Sequence, residues 1–372
     1  MVFRSYDCTF REDTRHILRL MSESSFTADW SNTRIVFGAG AVARLPAEID
    51  ALGWSRILIV TTPGRTAELG VVRAHLASRV VGLCDVAALH VPIDRVTIAL
   101  AVVDQCTPDA LLAVGGGSAI GLAKAIALET KNDRHLPIAA VPTTYAGSEM
   151  TTIWGITDGD RKRTGRDAVV APRLVIYDPD LTMALPVGVS AASGMNAIAH
   201  AVEALYAAGA GPVARAAAED GLRSLARALP VLVASPHDRE ARSLALAGAH
   251  SAGVALNLAA MGLHHKICHV LGGTFGLPHA PTHAAVLPHV VAFNTPAAPD
   301  AMQRIALALG TTDASIGLAA LGRALGLTMG LGALGLRAQD VDQAAEQVTA
   351  SAYANPRPAT TADVRALLLR AL

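Results

Sequence analysis

The sequence predicts an α/β domain followed by an all-helical domain. In the first half, short apolar runs typical of buried strands alternate with helical stretches, which is the pattern of βαβ units around a parallel sheet. The predicted strands are 33–38, 56–60, 111–114, 136–141 and 174–177. From Ser190 onward strands nearly vanish, and alanine- and leucine-rich segments keep a helical spacing. We therefore predict an α/β domain over 33–185 and a helical domain over 186–372.

The composition narrows the class of protein. With 372 residues, of which 52% are hydrophobic, the chain can bury two domain cores. Its 31 basic and 31 acidic residues cancel, so no overall field attracts nucleic acid or a membrane surface. The 4 cysteines lack C-x-x-C spacing, which argues against a disulfide framework and a cysteine zinc site. We expect a cytoplasmic protein with no nucleic-acid or membrane partner.

Residues 1–32 are predicted to be a leader, loosely attached and flexible. Basic and acidic residues alternate here without a compact apolar segment and cleavage site, so we expect no export signal. Met21 is a second candidate for the start of the protein.

A glycine-rich turn joins a predicted strand to a predicted helix. Strand 111–114 runs into Gly115-Gly116-Gly117-Ser118, and helix-forming residues follow from Ala119 to Leu128. Free N–H groups and the positive end of the helix dipole can hold a phosphate at such a turn. The alternative is a tight turn without a ligand, because the motif lacks the spacing of the G-x-G-x-x-G fingerprint.

A second loop favours the phosphate-binding interpretation. Strand 136–141 leads into a loop rich in hydroxyl groups and glycine, Thr143-Thr144-Tyr145-Ala146-Gly147-Ser148. Two such loops at the ends of successive parallel strands predict a ligand crevice at the carboxyl edge of the sheet. The first domain is therefore predicted to be Rossmann-like and to bind a nucleotide.

Histidines are concentrated in the helical domain. Asn196 and His200 are four residues apart on a predicted helix and share a face, as do His265 and His269. Six of the 13 histidines fall between residues 264 and 289. Two interpretations are open for this cluster: a metal site, or a metal-free site that relays protons and binds an anion.

Together these motifs resemble the iron-containing (group III) alcohol dehydrogenases, whose architecture is similar to that of dehydroquinate synthase. The resemblance covers nearly everything after residue 33 and is strongest to the maleylacetate reductases of that family. It implies a homodimer. The segments that carry it are Gly115 to Ser118, Thr143-Thr144 with Gly147-Ser148-Glu149, Asp178-Pro179, Ser193 to Ala197 with His200, and His265, His269 and His279 in an H-x3-H-x9-H spacing.

One departure from the metal-dependent members concerns the ligands. The resemblance places His200, His265 and His279 at three ligand positions, but Asn196 stands where those members have an aspartate. An amide in place of a carboxylate removes the only anionic ligand, although three imidazoles can still hold zinc. The maleylacetate reductases share this substitution, and similarity to them implies a site that works without a metal.

Two further departures concern charge. Gly121 stands where many relatives carry an aspartate, and losing a carboxylate there eases the entry of a dianion. After strand 56–60, the segment Thr61-Thr62-Pro63-Gly64-Arg65 offers no carboxylate to repel a 2′-phosphate, and Arg65 attracts one. We therefore expect NADH and NADPH both to serve as cofactors.

The resemblance implies reduction of the carbon–carbon double bond of maleylacetate to 3-oxoadipate during the degradation of aromatic compounds. His269 matches the catalytic histidine of the family and is the expected proton donor. The other expected catalytic groups, which would stabilise the ketone oxygen, are His200, His265, His279 and Lys266. The expected cofactor-binding residues are Gly116, Gly117, Ser118, Thr143, Thr144 and Lys162, and the expected substrate-binding residues are Tyr145, Arg163 and Asn196.

Other functions fit the same motifs. One is a metal-dependent alcohol or glycerol dehydrogenase, in which Asn196 would ligate a cation. Others are a lyase similar to dehydroquinate synthase and a non-catalytic nucleotide-binding protein. These last two would not oxidise NADH.

Overall fold

The computed structural model describes residues 26–30, 32–159 and 161–372. The predicted start at Met21 and most of the predicted leader lie outside the described residues. The leader prediction is wrong for Phe26–Trp30, which forms a strand paired antiparallel to Thr33–Phe37. This pairing gives the segment backbone hydrogen bonds that its five-residue sequence does not reveal by itself.

The first half of the chain is built on a seven-stranded sheet with the order β1-β2-β9-β6-β5-β3-β4. All neighbours are parallel except β1 and β2. Its strands are β1 (Phe26–Trp30), β2 (Thr33–Phe37), β3 (Ile57–Val60), β4 (Val80–Cys84), β5 (Ala110–Gly115), β6 (Ile138–Pro142) and β9 (Leu174–Tyr177). Strands β3, β5, β6 and β9 are buried throughout, which is why they appear in the sequence as continuous apolar runs.

Four strands of the described residues were not predicted from the sequence. Besides β1, they are β4, which is partly exposed, and the hairpin of β7 (Ile153–Asp158) and β8 (Arg161–Arg166). The sequence of β8, RKRTGR, has no apolar alternation. The hairpin nevertheless matters because it carries Lys162.

The helices of the sheet domain are α1 (Leu45–Ala51), α2 (Thr66–Leu76), α3 (Ile93–Cys106) and α4 (Gly117–Glu129). The helical part has α5 (Val187–Tyr206), α6 (Pro212–Ala234), α7 (Arg239–Leu258), α8 (Leu263–Phe275), α9 (His279–Asn294), α10 (Pro299–Ala308), α11 (Ala314–Ala324), α12 (Val341–Thr349) and α13 (Thr361–Ala371). The predicted order, an α/β part followed by helices, is confirmed. Among the described residues no single helix is long and apolar enough to span a membrane. Helices α7 and α8 meet the two conditions only when taken together, and a 99° bend separates them.

Two contacts fix the loop after β6 against the helical part. Gly147 has φ +78°, and a Cβ on Gly253 of α7 would lie 2.6 Å from the Gly147 oxygen, so the two backbones meet directly. Arg242 of α7 is fully buried and donates to the Tyr145 hydroxyl (3.0 Å) and to Ser190 Oγ (2.7 Å). Hydrogen bonds to a charged group are strong when buried, so this arginine joins the loop to α5 and α7.

The direction in which the chain adds strands to the sheet reverses between β3 and β5. After β3 the chain adds β4 on one side and then returns to add β5 on the other. Ligands of open α/β sheets bind outside the carboxyl ends of the strands at such a point. Thr61, directly after β3, is bonded to β5 here, because its Oγ1 donates to the Val114 oxygen at 2.7 Å.

The buried His250 of α7 makes the free energy of unfolding depend on pH. Its ring lies 5.4 Å from that of Tyr177, and burial lowers its pKa to about 4 against the opposing charge of Asp220. The unfolded chain therefore binds more protons between pH 4 and 6.5, and this contribution to stability is lost as pH falls through that range.

We expect His250→Leu to flatten the pH dependence of the unfolding free energy. The change in slope should be about 1.4 kcal/mol per pH unit between about pH 4 and 6.5, the value for one proton. Urea unfolding at a series of pH values measures it. His237→Leu, at an exposed position between α6 and α7, is the matched control. A His250→Leu variant with the wild-type slope would contradict this assignment.

Candidate active site

The candidate site lies between the carboxyl edge of the sheet and the helices α5, α8 and α9. The sheet contributes the loops after β3, β4, β5 and β6, and the helices contribute a cluster of imidazoles. The two sides meet at His90 and His279, whose ring centroids are 5.8 Å apart. This contact connects the predicted nucleotide crevice to the histidine cluster.

The glycine-rich turn has the geometry of an anion site. Helix α4 begins at Gly117, and no described side chain caps its first turn. Gly117 is exposed and Gly116 is partly exposed, so the first N–H groups are open to a ligand. A Cβ on Gly116 would lie 2.7 Å from Thr144 Oγ1, which shows that the two predicted phosphate loops pack directly against each other.

Thr143 supplies a polar group for a ligand in the same crevice. Its N–H donates to the Gly115 oxygen at 2.9 Å, which ties the loop after β6 to the end of β5. Its buried Oγ1 has no hydrogen-bond partner among the described residues. Buried hydroxyls are normally paired, so this oxygen is suited to bind a cofactor oxygen.

The loop after β3 carries no carboxylate of its own, but an acidic residue of the following helix lies beside its arginine. Arg65 forms an ion pair with Glu68 at 3.2 Å, in the first turn of α2. Glu68 therefore neutralises part of the positive charge that was expected to attract a 2′-phosphate. The loop sequence does not show this because the acidic residue lies three positions after Arg65, in α2.

Lys162 of β8 faces the histidines. Burial lowers its pKa, and its charge in turn lowers the pKa of His90, His269 and His279. Successive side chains of a strand point to opposite faces, so Arg163 points away from this cleft and is exposed. The structure thus does not bring Arg163 to the predicted substrate site.

Helix α5 carries three polar side chains on one face, Asn196, His200 and Glu203, at positions i, i+4 and i+7. Helices α8 and α9 bring further imidazoles to the same place. The ring centroids of His200 and His265 are 5.0 Å apart, and those of His265 and His283 are 4.8 Å apart. The side chains that contact one another in this cluster are His200, Glu203, His264, His265, His269, His279 and His283. Asn196 lies one turn before His200 on the same face of α5.

Glu203 organises the cluster from behind. Its side chain is fully buried, and Oε1 accepts a hydrogen bond from the backbone N–H of His264 at 2.9 Å. Its Oε2 pairs with His265 Nδ1. A carboxylate on Nδ1 fixes the tautomer of an imidazole, so His265 turns its Nε2 away from Glu203. This Nε2 is buried and has no partner among the described residues.

His264 and His283 form a second fixed pair. The Nε2 of His264 and the Nδ1 of His283 are 2.9 Å apart, a hydrogen-bond distance, and both side chains are fully buried. One ring must donate and the other accept, so the two cannot both be protonated at these nitrogens. The pair joins α8 to α9 and places the His283 ring 4.5 Å from that of His279.

The cluster favours neutral imidazoles. Burial, followed by the neighbouring imidazoles, lowers the pKa of His200, His264 and His283 well below the usual value. Burial and then Lys162 lower the pKa of His279 to about 3. His269 is exposed at the mouth of the cleft, and its pKa is lowered by the surrounding protein and by Lys162. A group of neutral rings beside an ammonium is suited to receive an anion.

Two family models match the sequence. The model described as "Iron-containing alcohol dehydrogenase" matches residues 32–179, and "Fe-containing alcohol dehydrogenase family, C-terminal" matches residues 190–372. The chain belongs to the iron-containing alcohol dehydrogenase family. It is therefore an oxidoreductase.

Similar members of this family are known. The chain is 48% identical over 335 residues to the maleylacetate reductase of Burkholderia cepacia, which is 90% of this chain and 94% of that protein. It is 47% identical over 339 residues to that of Sphingobium indicum, with 91% and 95% covered. The crystal structure of maleylacetate reductase from Agrobacterium tumefaciens has a TM-score of 0.86 at 42% identity, with 94% and 98% covered.

The side chains of this cluster are a poor set of ligands for an iron ion, although the family is named for iron. Iron sites of this kind combine imidazoles with a carboxylate, but Asn196 occupies that position and Glu203 is bonded to His265 Nδ1. Among the described residues, one set of three side chains has ligand atoms within 4.8 Å of one another: His264, His265 and His283. Two of these share a hydrogen bond between His264 Nε2 and His283 Nδ1, while His264 Nδ1, His265 Nε2 and His283 Nε2 have no partner among the described residues, so the set is one of neutral nitrogen donors without an anionic ligand.

Two further residues that were predicted to act in the site, Tyr145 and Lys266, make other contacts. The hydroxyl of Tyr145 accepts from the buried Arg242, so this predicted substrate ligand belongs to the interior. Lys266 donates to Ser351 Oγ at 2.7 Å, so its ammonium is engaged outside the imidazole cluster, although its charge contributes to the lowered pKa of His269. Both corrections have one cause, namely that a side chain next to a motif residue points in a different direction.

Sequence reasoning did not assign four residues that this site contains: Glu203, His264, His283 and His90. His264 and His283 were visible only as members of the histidine-rich segment. Glu203 follows His200 at helical spacing, a signal that extending the face of α5 by one turn would have found. His90 lies in a loop before α3 with no motif around it. Only the fold brings His90 to His279.

We expect Gly117→Leu to weaken binding of the nicotinamide cofactor without unfolding the protein. A Cβ on Gly117 would meet only Ala146 at 3.6 Å, an ordinary contact, so the longer side chain extends into the crevice. The dissociation constant of NADH, measured by fluorescence, should rise about tenfold or more, the cost of a lost charged hydrogen bond. The melting temperature should stay near that of the wild type, and a protein that fails to fold would favour a purely structural turn.

Proposed function

We propose that the chain reduces the carbon–carbon double bond of maleylacetate to 3-oxoadipate with NADH or NADPH. The observation that carries the proposal is the cleft itself, where Lys162 and neutral imidazoles face the substrate while Glu203 stays behind His265. Such a cleft favours a dicarboxylate. The relatives named maleylacetate reductase support the same substrate.

The cofactor would occupy the crevice at the carboxyl edge. Gly116, Gly117 and Ser118 would hold its phosphates through backbone N–H groups, with Thr143 and Thr144 on the opposite side. When bound, the nicotinamide supplies a hydride to the alkene carbon β to the ketone. The Arg65–Glu68 pair leaves no strong preference for a 2′-phosphate, so both cofactors should serve.

The histidines would stabilise the charge that this addition creates. The alkene electron pair moves toward the ketone, and the ketone oxygen becomes an enolate oxygen. His200 and His279 line the cluster and can offer hydrogen bonds to it, with the charge of Lys162 beside them. The neutral ring of His265 keeps its proton on Nδ1 toward Glu203, so it contributes by holding the cluster in place. Asn196 would contact the substrate through its side-chain amide, whose Oδ1 has no partner among the described residues.

His269 would complete the reaction. It lies exposed at the mouth of the cleft, where it can exchange protons with water and with the substrate. A bound dianion raises the pKa of a neighbouring imidazole, which reverses the effect of Lys162 in the free protein. His269 would then donate its proton to the carbon α to the ketone, and the enolate returns to a ketone.

The proposed reaction needs no metal. An amide and three imidazoles give a neutral donor set, and Lys162 adds a positive charge that repels a divalent cation. One observation favours the alternative, a metal-dependent alcohol dehydrogenase: a carboxylate on Nδ1, as Glu203 provides for His265, also supports metal ligands.

We also propose that the protein is a cytoplasmic homodimer. Light scattering of the purified protein tests the dimer.

The direct experiment follows the absorbance of NADH. Addition of maleylacetate to the purified protein should consume NADH and form 3-oxoadipate, and chelator should leave the rate unchanged. No consumption of NADH would favour a lyase or a binding protein. Loss of the rate in chelator, with metal found in the protein, would favour the metal-dependent alternative.

We expect His269→Ala to lower kcat about a hundredfold, because a positioned general acid contributes about 10²–10⁴. The measurement is steady-state oxidation of NADH with maleylacetate. His237→Ala, on the outside of the helical part, is the control. Turnover close to that of the wild type would remove His269 from the mechanism.

We expect Asn196→Asp to create a metal site from the same imidazoles. The new carboxylate supplies the missing anionic ligand, so affinity for Zn²⁺ or Fe²⁺ should rise at least about tenfold. Elemental analysis after dialysis and calorimetric titration with Zn²⁺ measure this directly. Unchanged metal content would show that the rings do not converge.

A further inference from the structure

The loop between β4 and α3 is strained where it enters the cleft. His90 has φ +64° and Val91 has φ +51°, two consecutive non-glycine residues in the left-handed region. This conformation costs about 1–2 kcal/mol per residue, and it is rare for a β-branched valine. Such strain persists only where the surroundings enforce it, and it is frequent at functional sites.

The hairpin that carries Lys162 holds this loop. Thr157 of β7 donates from its N–H to the Val91 oxygen at 3.0 Å and from its hydroxyl to the His90 oxygen at 2.7 Å. Thr157 is also the cross-strand partner of Lys162. The backbones of His90 and of Lys162 are therefore positioned by the same residue.

Gly121 of α4 admits the loop from the other side. A Cβ on Gly121 would lie 2.8 Å from Val91 Cγ2, closer than real contacts allow. Val91 is buried in this contact, so any side chain at position 121 would push it and the adjacent His90 away. Gly121 thus has a steric role in addition to the absence of a charge.

The imidazole of His90 is available to a ligand. It is partly buried, it meets the His279 ring edge to face at 5.8 Å, and Lys162 is close enough to influence it. Among the described residues none forms a hydrogen bond with its ring nitrogens. Within the cleft, an N–H group and an ammonium together match the two oxygens of one carboxylate.

We propose that His90, held in place by Val91 and Gly121, donates a hydrogen bond to a carboxylate of the dianionic substrate and determines specificity for diacids. This rests on the proposed function, and it adds a residue and a positioning device to it. His90 acts in binding, whereas the proton of the reduction comes from His269. Loss of His90 should therefore raise KM and leave kcat nearly unchanged.

The first experiment replaces His90. His90→Phe keeps a ring against His279 but removes the donor, and it should raise the KM for maleylacetate about tenfold to a hundredfold, the value of a hydrogen bond to a charge. His90→Asn keeps a donor and tolerates the left-handed backbone, so it should recover most of the affinity. An unchanged KM in His90→Phe would overturn the proposal, as would a loss that appears in kcat alone.

The second experiment tests the positioning by Gly121. Gly121→Ala should raise the KM as His90→Phe does, because its Cβ displaces Val91. The double variant Gly121→Ala with Val91→Ala removes the clashing methyl and should restore the KM. If the double variant stays as impaired as Gly121→Ala, the steric link between position 121 and His90 is wrong.

A binding measurement separates this proposal from the proposed function. Maleate and its monomethyl ester are titrated into the protein with NAD+ bound, and the wild type should prefer the diacid. His90→Phe should lose that preference, while His237→Phe should keep it. If the preference depends on His90 although maleylacetate is not reduced, the substrate assignment fails and the role of His90 stands. If turnover is normal and the preference does not depend on His90, only the role of His90 fails.

Discussion

The interaction on which the site depends is the buried bond of Glu203 to His265 and to the backbone of His264. A buried carboxylate is costly unless it is paired and hydrogen-bonded, and here one residue of α5 satisfies both requirements with groups of α8. The bond fixes the start of α8 and the orientation of His265. His264 then reaches His283 of α9, so the positions of three helices follow from one carboxylate.

The second constraint is close approach between the two parts of the chain. Gly147 and Gly253 let the loop after β6 touch α7, and Gly121 lets the loop after β4 touch α4. These contacts set how far the glycine-rich turn at the start of α4 lies from the histidines. The cofactor and the imidazoles must meet within bonding distance of one substrate, so side-chain-free contacts at the edges of the cleft contribute to its chemistry.

The sequence predicted features that depend on local patterns. Buried strands such as β5, the turn from Gly115 to Ser118 and the helical face of Asn196 and His200 all follow from periodicity and residue type. The sequence did not predict features that depend on the direction of a side chain or on contacts between distant parts of the chain. Tyr145 and Lys266 stand beside motif residues but point elsewhere, and the polar strand β8 has no apolar period. Contacts across the fold, such as that of His90, leave no local signal.

The electrostatics of the cleft connect these parts to the proposed chemistry. A metal-dependent dehydrogenase places its positive charge at a single ion. Here the positive charge belongs to Lys162 on a hairpin of the sheet domain, while the helical domain offers neutral rings. A dicarboxylate brings two negative charges into this cleft, so it gains from the ammonium and raises the proton affinity of the imidazoles. In the proposed reaction, the substrate supplies the charge that lets His269 act as an acid.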